Sequence, residues 1–308
     1  SAGQLAELTN GLKQLNADAV PLFLCVDEEG GRVSRMPEEV MDLPSADTFG
    51  QRHDASELTR LGQTLGMECA AFGFNLDFAP VADVRSNPEN TVIGDRAYSG
   101  DPGRAADAAA WVDGGMREAG IISVWKHFPG HGNTATDSHQ ALPVVELSRE
   151  DWARGDAVPF RRAVECGAPA VMAGHIRMTA FDPEYPASLS HVLVSEVLRE
   201  ELGFTGVGCT DDLTMGAISD TYGMGEAAVL AVEAGCDLLL VCHGADNLTQ
   251  ARQALLGAVD GGRISPARLE ESVYRILALK AEYGLTNQTV EAPDVAALNQ
   301  AVQALLGE

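Results

Sequence analysis

Short apolar runs alternate along this chain with longer amphipathic stretches of helical period. Six of these runs are bounded by turn residues, at residues 21–26, 75–80, 121–125, 170–173, 206–210 and 237–241. Runs of this length that are apolar on both faces are typical of strands buried in a parallel sheet. The alternation of such strands with helices predicts an α/β protein.

Capping residues mark where the helices between these runs begin, and glycines mark where they end. Asp or Ser at the N-cap, twice followed by proline, predicts helices over residues 54–73, 101–120, 148–167 and 265–284. Further helices are predicted at residues 4–15 and at about 190–203.

Ionisable residues follow the carboxyl ends of five of the six predicted strands: Asp27, Lys126 with His127, His175, Asp211 and His243. In a barrel these strand ends share one mouth, whereas in a doubly wound open sheet they lie along a crevice. We therefore predict a TIM-type (β/α)8-like barrel at residues 1–285. Because six strands are found and not eight, the barrel is expected to be irregular or to lack its first strand here. Residues 286–308 are predicted to be a tail whose short amphipathic helix, at residues 295–306, packs on the barrel.

The composition narrows the possible partners. The 308 residues carry a formal net charge of −24, and a surface this negative repels nucleic acid and anionic membranes. No apolar stretch of eighteen residues and no signal-peptide pattern is present. The six cysteines form no CxxC pair and are expected to be reduced thiols. These features predict a cytoplasmic protein, which we expect to be a monomer.

Residues 126–139, KHFPGHGNTATDSH, concentrate chemically active side chains. Histidine and aspartate here are zinc-ligand types, but the adjacent Lys126 and a spacing unlike common metal signatures weigh against a metal. In the other interpretation Asp137 holds one ring nitrogen of His139, and the other nitrogen transfers a proton near neutral pH. The residues alone leave open whether His139 reacts or only holds the loop.

Residues 210–217, TDDLTMGA, follow the fifth predicted strand. Adjacent carboxylates at a strand end point in different directions, so one can face the barrel mouth as a nucleophile while the other caps the next helix. Taken alone, paired acids at a helix start are more often caps.

Five segments in fixed order resemble glycoside hydrolase family 3: EEGGRVSR, KHFPGHG followed by DSH, MAGHI, PASLS and TDDLTMGAI. Within that family the chain is similar to single-domain bacterial β-N-acetylglucosaminidases of peptidoglycan recycling, over about residues 4–284. The resemblance implies a retaining glycosidase that removes terminal β-linked N-acetylglucosamine from small muropeptide fragments without a cofactor. The family's usual opening strand is missing, and a second α/β domain does not fit in this length, which argues against a plant- or fungal-type β-glucosidase.

The resemblance also implies roles for particular residues. Asp211 is the expected nucleophile, and His139 is the expected general acid/base, oriented by Asp137. The expected sugar-binding residues are Asp27, Arg35, Arg96, Lys126 and His127. The glycine pair at 30–31 is expected to let the backbone approach the ligand, whereas Arg32 is expected to pack or to pair with Glu28.

Three other functions stay open at this point. A phosphorylase would use phosphate instead of water to resolve the same intermediate, and a neutral histidine repels that anion less than a carboxylate would. A sugar-binding or cell-wall-sensing barrel would bind without turnover. A metal-dependent barrel hydrolase would lose activity in EDTA.

Overall fold

The fold was obtained as a computed structural model that describes residues 1–134 and 142–307. Eight β-strands lie in these described residues: β1 (Cys25–Val26), β2 (Leu76–Asp77), β3 (Ile122–Phe128), β4 (Val144–Val145), β5 (Ala170–Ala173), β6 (Arg177–Met178), β7 (Val207–Asp212) and β8 (Leu238–Leu240).

The same two ranges contain eleven α-helices: α1 (Ala2–Leu15), α2 (Ala46–Arg52), α3 (Ala55–Ala71), α4 (Pro102–Glu118), α5 (Arg149–Arg154), α6 (Ala157–Glu165), α7 (Gly216–Ser219), α8 (Met224–Ala234), α9 (Ala245–Asp260), α10 (Pro266–Glu282) and α11 (Val295–Leu306). Two short 3₁₀ turns, Gly94–Arg96 and Ala187–Leu189, and a π-helix, Val192–Glu201, complete the list.

Six of the strands form one parallel sheet in the order β1-β2-β3-β5-β7-β8, and β4 pairs in parallel with β6. The sheet is curled. Cys25 of β1 and Leu238 of β8, at its two edges, both pack on the apolar cluster that contains Val124 of β3. Among the described residues β1 and β8 are not hydrogen-bonded to each other, so the barrel is only partly closed. The predicted irregular TIM-like barrel is confirmed.

The predicted helix starts agree with the structure at most positions. Asp54 accepts a hydrogen bond from the backbone of Glu57, and Asp101 accepts one from that of Arg104, as N-cap residues do. The single helix predicted over 148–167 is wrong, because α5 stops at Gly155 and α6 begins after it. Pro159 lies in the first turn of α6, where its missing N–H does no harm, but it would break a continuous helix.

The tail lies against the amino-terminal part of the barrel. Asn287 donates hydrogen bonds to backbone carbonyls of residues 16 and 19, and Asn10 exchanges hydrogen bonds with the backbone of Val290. Val302 and Leu305 of α11 are buried in the cluster that contains Leu58 of α3. The division of the chain at residue 285 stays a prediction. In the two described ranges, no helix combines the length and apolarity that crossing a membrane requires.

Candidate active site

A polar cavity of about 680 Å³ opens at the carboxyl ends of the sheet strands. Six of the residues proposed from the sequence line it: Asp27, Arg35, Arg96, Lys126, His127 and Asp211. They come from the ends of β1, β3 and β7 and from the loops that follow β1 and β2. A cavity of this size accommodates a sugar unit and part of its neighbour. The convergence expected for strand ends that share one mouth is therefore found.

The two adjacent aspartates of β7 have different surroundings. Asp211 is partly exposed to the cavity, and its Oδ1 accepts the backbone N–H of Asp212 at 2.8 Å. Burial raises the pKa of Asp211, but His175, His127, that N–H and Lys126 lower it more, so its net pKa lies below the ordinary value. Asp211 is therefore a carboxylate at neutral pH.

Asp212 is occupied by local hydrogen bonds. Its Oδ1 accepts the backbone N–H groups of Thr214 and Cys242, both at 3.0 Å, and its Oδ2 accepts the hydroxyl of Thr214 at 2.5 Å. Asp212 thus holds the turn after β7 against the segment after β8. The helix that follows has Met215 as its N-cap, so the expectation that one of the two acids caps it is wrong.

Four charged side chains form a connected row along one wall of the cavity, in which Glu29, Arg96 and Lys126 are nearly buried and Asp27 is partly exposed. Lys126 Nζ lies 2.6 Å from Asp27 Oδ1 and 2.6 Å from Glu29 Oε1. Arg96 donates from Nε and Nη2 to the two carboxylate oxygens of Glu29, at 2.7 and 2.8 Å. Burial raises the pKa of Glu29, but Lys126 and Arg96 outweigh it and lower that pKa to about 2. The two cations are thus held in place by fixed anions.

His127 lies beside this chain of charges, with its ring fixed from behind. Its Nδ1 lies 2.7 Å from Oδ2 of Asp83, a buried residue, and its Nε2 lies 3.5 Å from Nη2 of Arg96. Asp83 also accepts the backbone N–H of His131 at 2.6 Å through its Oδ1. Burial raises the pKa of Asp83, but His127 and His131 lower it below its ordinary value.

The glycines of the KHFPGHG segment are required by close packing of this loop. A Cβ atom on Gly132 would lie 1.8 Å from the carbonyl oxygen of Val84, and one on Gly130 would lie 2.5 Å from Cβ of Asp156. Gly130 also has a φ of +127°, which side-chain-bearing residues rarely adopt. The contact of Gly132 fixes the loop against the segment that carries Asp83, and the contact of Gly130 fixes it against the start of α6.

The two histidines predicted at the ends of β5 and β8 have different positions. His175 is completely buried, donates through Nε2 to the carbonyl of Asp212 at 2.9 Å and accepts the hydroxyl of Ser188 at 2.7 Å. It supports the strand end that carries Asp211 from behind. His243 lines the cavity but is 82% exposed, with Nε2 3.8 Å from Asp212.

One expectation for the loop after β1 is wrong, and the approach of its glycine pair to a ligand stays a prediction. Arg32 does not pair with Glu28; it pairs with Asp95 at 2.8 Å and donates to the carbonyls of residues 91–93. The glycine pair packs against residues 43–45, where Cβ atoms on Gly30 and Gly31 would lie 3.1 and 2.9 Å from backbone atoms. Its role in the fold is this tight turn, with φ values of +74° and +57°.

Similarity to known proteins identifies the family of this chain. The family model of the glycosyl hydrolase family 3 N terminal domain matches residues 1–279. The chain belongs to this family. A β-hexosaminidase of Nitrosomonas eutropha is 33% identical over 311 residues, which cover 98% of this chain and 88% of that protein.

Two solved family 3 structures are similar over nearly the whole chain. The β-N-acetylglucosaminidase of Paenibacillus sp. str. FPU-7 is 40% identical, with a TM-score of 0.92 over 99% of this chain. The β-glucoside phosphorylase BglX is 28% identical, with a TM-score of 0.89. This chain spans 60% of the length of the first and 57% of the second. The predicted membership of family 3 is confirmed.

Two predicted catalytic residues of this family 3 chain, Asp137 and His139, lie outside the described residues. Their roles stay predictions, as do those of Asp211 and the five sugar-binding residues. Within residues 1–134 and 142–307, no group of three or more His, Cys, Asp or Glu side chains is arranged to hold a metal ion.

Sequence reasoning missed two residues of the family 3 site, Glu29 and Asp83. Alternation along an extended segment was a usable signal for Glu29, because Asp27 and Glu29 are two residues apart and face the same side. Glu28 accordingly turns away and accepts the hydroxyl of Ser34. Asp83 follows β2 in an irregular loop, and no periodicity indicates its partner.

Proposed function

We propose that this chain is a retaining β-N-acetylhexosaminidase that removes terminal β-linked N-acetylglucosamine. The observation that carries the proposal is an ionised Asp211 on the cavity wall, beside a row of charged groups suited to sugar hydroxyls. The names of the β-hexosaminidase and β-N-acetylglucosaminidase relatives support the substrate class. The finer substrate proposed from the sequence is a GlcNAc-anhydro-muramyl fragment.

The proposed reaction has two displacements at the anomeric carbon. Asp211 attacks that carbon, a bond from its carboxylate oxygen forms, and the bond to the leaving oxygen breaks as that oxygen receives a proton. Water then attacks the glycosyl-enzyme, gives its proton to the base and releases Asp211. Two inversions retain the β configuration. We propose His139, oriented by Asp137, as the donor and then the acceptor of this proton.

The binding residues have separate tasks in this proposal. Lys126 and Arg96 donate hydrogen bonds to sugar hydroxyls while Glu29 holds both cations. Asp27 is partly exposed, and its carboxylate accepts a hydrogen bond from a sugar hydroxyl beside its contact with Lys126. Arg35 is exposed at the rim, where its guanidinium suits a carboxylate on the aglycone.

The nucleophile is tested by trapping the glycosyl-enzyme. A 5-fluoro N-acetylglucosaminyl fluoride should add the mass of one sugar to the peptide that contains Asp211, as measured by mass spectrometry. Asp211→Asn should take up no label, whereas Asp212→Asn should still be labelled on Asp211. A label on Asp212 would show that the assignment is displaced by one residue. Absence of turnover on chromogenic N-acetylglucosaminides would instead favour the sugar-binding barrel.

Phosphorolysis is the second candidate, favoured by the likeness to the phosphorylase and by the three arginines in the cavity lining, Arg32, Arg35 and Arg96. In this alternative phosphate replaces water in the second displacement, and the product is a sugar 1-phosphate. Products formed in phosphate buffer and in a non-phosphate buffer should be compared by mass spectrometry. Free sugar in both buffers supports the hydrolase, and sugar 1-phosphate in the first supports the phosphorylase. The monomeric state and the cytoplasmic location stay predictions.

A further inference from the structure

Asp83 contacts the sugar-binding wall without lining it. Its carboxylate is 1% exposed and lies behind His127, with Oδ2 2.7 Å from the ring nitrogen Nδ1. The other oxygen, Oδ1, accepts the backbone N–H of His131 at 2.6 Å and that of His127 at 3.4 Å. A carboxylate only accepts hydrogen bonds, so Nδ1 of His127 carries a proton.

The second ring nitrogen of His127 faces a group that only donates. Nε2 lies 3.5 Å from Nη2 of Arg96, whose guanidinium has five N–H donors and no acceptor. A proton on Nε2 would set N–H against N–H at this contact. The two neighbours together define the neutral ring with the proton on Nδ1 and the lone pair on Nε2.

We propose that Asp83 is a positioning residue that fixes this tautomer of His127, so that Nε2 accepts a hydrogen bond from a hydroxyl group of the bound sugar in place of the long 3.5 Å contact with Arg96. The inference rests on the proposed function only for the nature of the ligand. It adds a specificity rule, because the hydroxyl opposite His127 must be a donor. A group at that position that only accepts a hydrogen bond is selected against.

Asp83→Asn reverses the arrangement by geometry alone. The backbone N–H of His131 cannot change, so it keeps the amide oxygen, and the amide NH2 group then faces Nδ1. Nδ1 must become the acceptor, and the proton moves to Nε2, which then loses its contact with the Nη2 donor of Arg96. The variant changes one acceptor atom into a donor and leaves the size of the side chain nearly the same.

The tautomer is read directly by NMR on protein labelled with ¹⁵N histidine. Protonated and unprotonated ring nitrogens resonate in separate regions, and the signals of His127 are identified by their loss in His127→Gln. Wild type should show a protonated Nδ1 and an unprotonated Nε2, and Asp83→Asn should show the reverse. A wild-type ring protonated on Nε2, alone or on both nitrogens, would overturn the proposal. This readout needs no substrate, so it is independent of the proposed function.

The specificity rule is tested with aryl N-acetylglucosaminides in which single sugar hydroxyls are replaced by hydrogen or by fluorine. In wild type, fluorine at the position opposite His127 should be no better than hydrogen, because fluorine cannot donate. In Asp83→Asn, kcat/KM for the normal substrate should fall by about 10- to 100-fold, the effect of losing a buried hydrogen bond to a charged group. The fluorine penalty at that one position should shrink, because the Nε2–H group can donate to fluorine.

Asp182→Asn is the matched control. Asp182 is also buried, and its carboxylate also accepts backbone N–H groups, from Glu184 and Tyr185, together with the hydroxyl of Ser190. It contacts none of the residues that line the cavity through these bonds, so its replacement should lower stability without changing the fluorine pattern. An equal change in that pattern in both variants would contradict the role of Asp83.

Discussion

The guanidinium of Arg96 is paired through two parallel hydrogen bonds with the carboxylate of Glu29, at 2.7 and 2.8 Å. The same carboxylate receives Lys126 at 2.6 Å, so one buried anion orients two cations of the cavity wall. Bidentate pairing of this kind fixes direction as well as distance. The positions of Lys126 and Arg96 are therefore set by their contacts with Glu29 within the fold.

Glu29→Gln should lower both stability and substrate affinity. The substitution leaves the buried Arg96 without its anion and leaves Lys126 with Asp27 alone, and breaking a buried pair costs about 3–5 kcal/mol. The free energy of unfolding should fall by that order in urea denaturation. Steady-state kinetics should show a higher KM, because Lys126 and Arg96 are no longer aimed at the sugar.

The control for this variant is Glu226→Gln. Glu226 forms the same bidentate pair, with Arg263 at 2.7 Å for both hydrogen bonds, but on an exposed surface. Exposed ion pairs contribute about 0–1 kcal/mol. Equal stability losses in the two variants would mean that burial does not increase the contribution of the Glu29 pair to the free energy of unfolding.

Asp212→Asn and Asp211→Asn should show that Asp212 contributes to stability and Asp211 to turnover. Asp212 accepts three hydrogen bonds that hold the turn after β7 and the segment after β8, and an asparagine keeps only one of the two oxygens that accept them. We expect a stability loss of about 1–3 kcal/mol, measured by thermal or urea unfolding, and substantial residual activity. Asp211→Asn should lose nearly all turnover with little change in stability. The opposite distribution would identify Asp212 as the reacting acid.

The parts of the fold that the sequence predicts well are those with a local physical cause. The apolar run predicted at residues 170–173 has the same bounds as β5. Four apolar side chains between turns are buried on both faces of the sheet, which gives a clear local signal. The helix at Val295–Leu306 was predicted at its observed bounds from its apolar stripe. Strands β4 and β6 were missed, since two residues each carry no period.

The parts of the site that were missed depend on contacts between distant segments. Asp83 meets His127 across 44 residues, and Glu29 meets Arg96 across 67. Neither pairing has a signature in local spacing. The same limit explains why Arg32 was expected to pair with the nearby Glu28, whereas its partner is Asp95, 63 residues away.

The stability of the protein should fall as the pH rises from about 5 to about 9, in part because of Glu68. This side chain of α3 is 1% exposed, and burial together with the charges of Glu28 and Asp42 raises its pKa to about 9. An unfolded glutamate has a pKa of about 4.3, so the folded state binds more protons between these values. The contribution is complete below the lower pKa and is lost as the pH rises through the higher one.

Glu68→Gln, which is neutral at every pH, should remove this part of the pH dependence. Each pH unit between these two pKa values changes the free energy of unfolding by up to about 1.4 kcal/mol. Between pH 5 and pH 8 the free energy of unfolding of the variant should therefore rise by on the order of several kcal/mol relative to that of wild type. Urea unfolding at a series of pH values measures it. Glu7→Gln, at an exposed position on α1, is the control and should follow wild type. Parallel curves for wild type and Glu68→Gln would refute the prediction.

The final prediction concerns His139 and Asp137, which the sequence indicates as the proton-transfer pair. His139→Ala should be most harmful for substrates with poor leaving groups, because these need protonation as the bond breaks. The loss on such substrates should be roughly 10²–10⁴-fold, the usual contribution of general acid/base catalysis. A dinitrophenyl glycoside needs little protonation, so Asp211 should still be glycosylated, and the intermediate should accumulate because water lacks its base. Azide attacks without base help and should restore turnover as a glycosyl azide. Asp137→Ala should cost the same or less, and the double variant should be far from additive, because the two residues act as one unit. If His139 only held the loop, the losses would be equal across leaving groups, azide would have no effect and the melting temperature would fall.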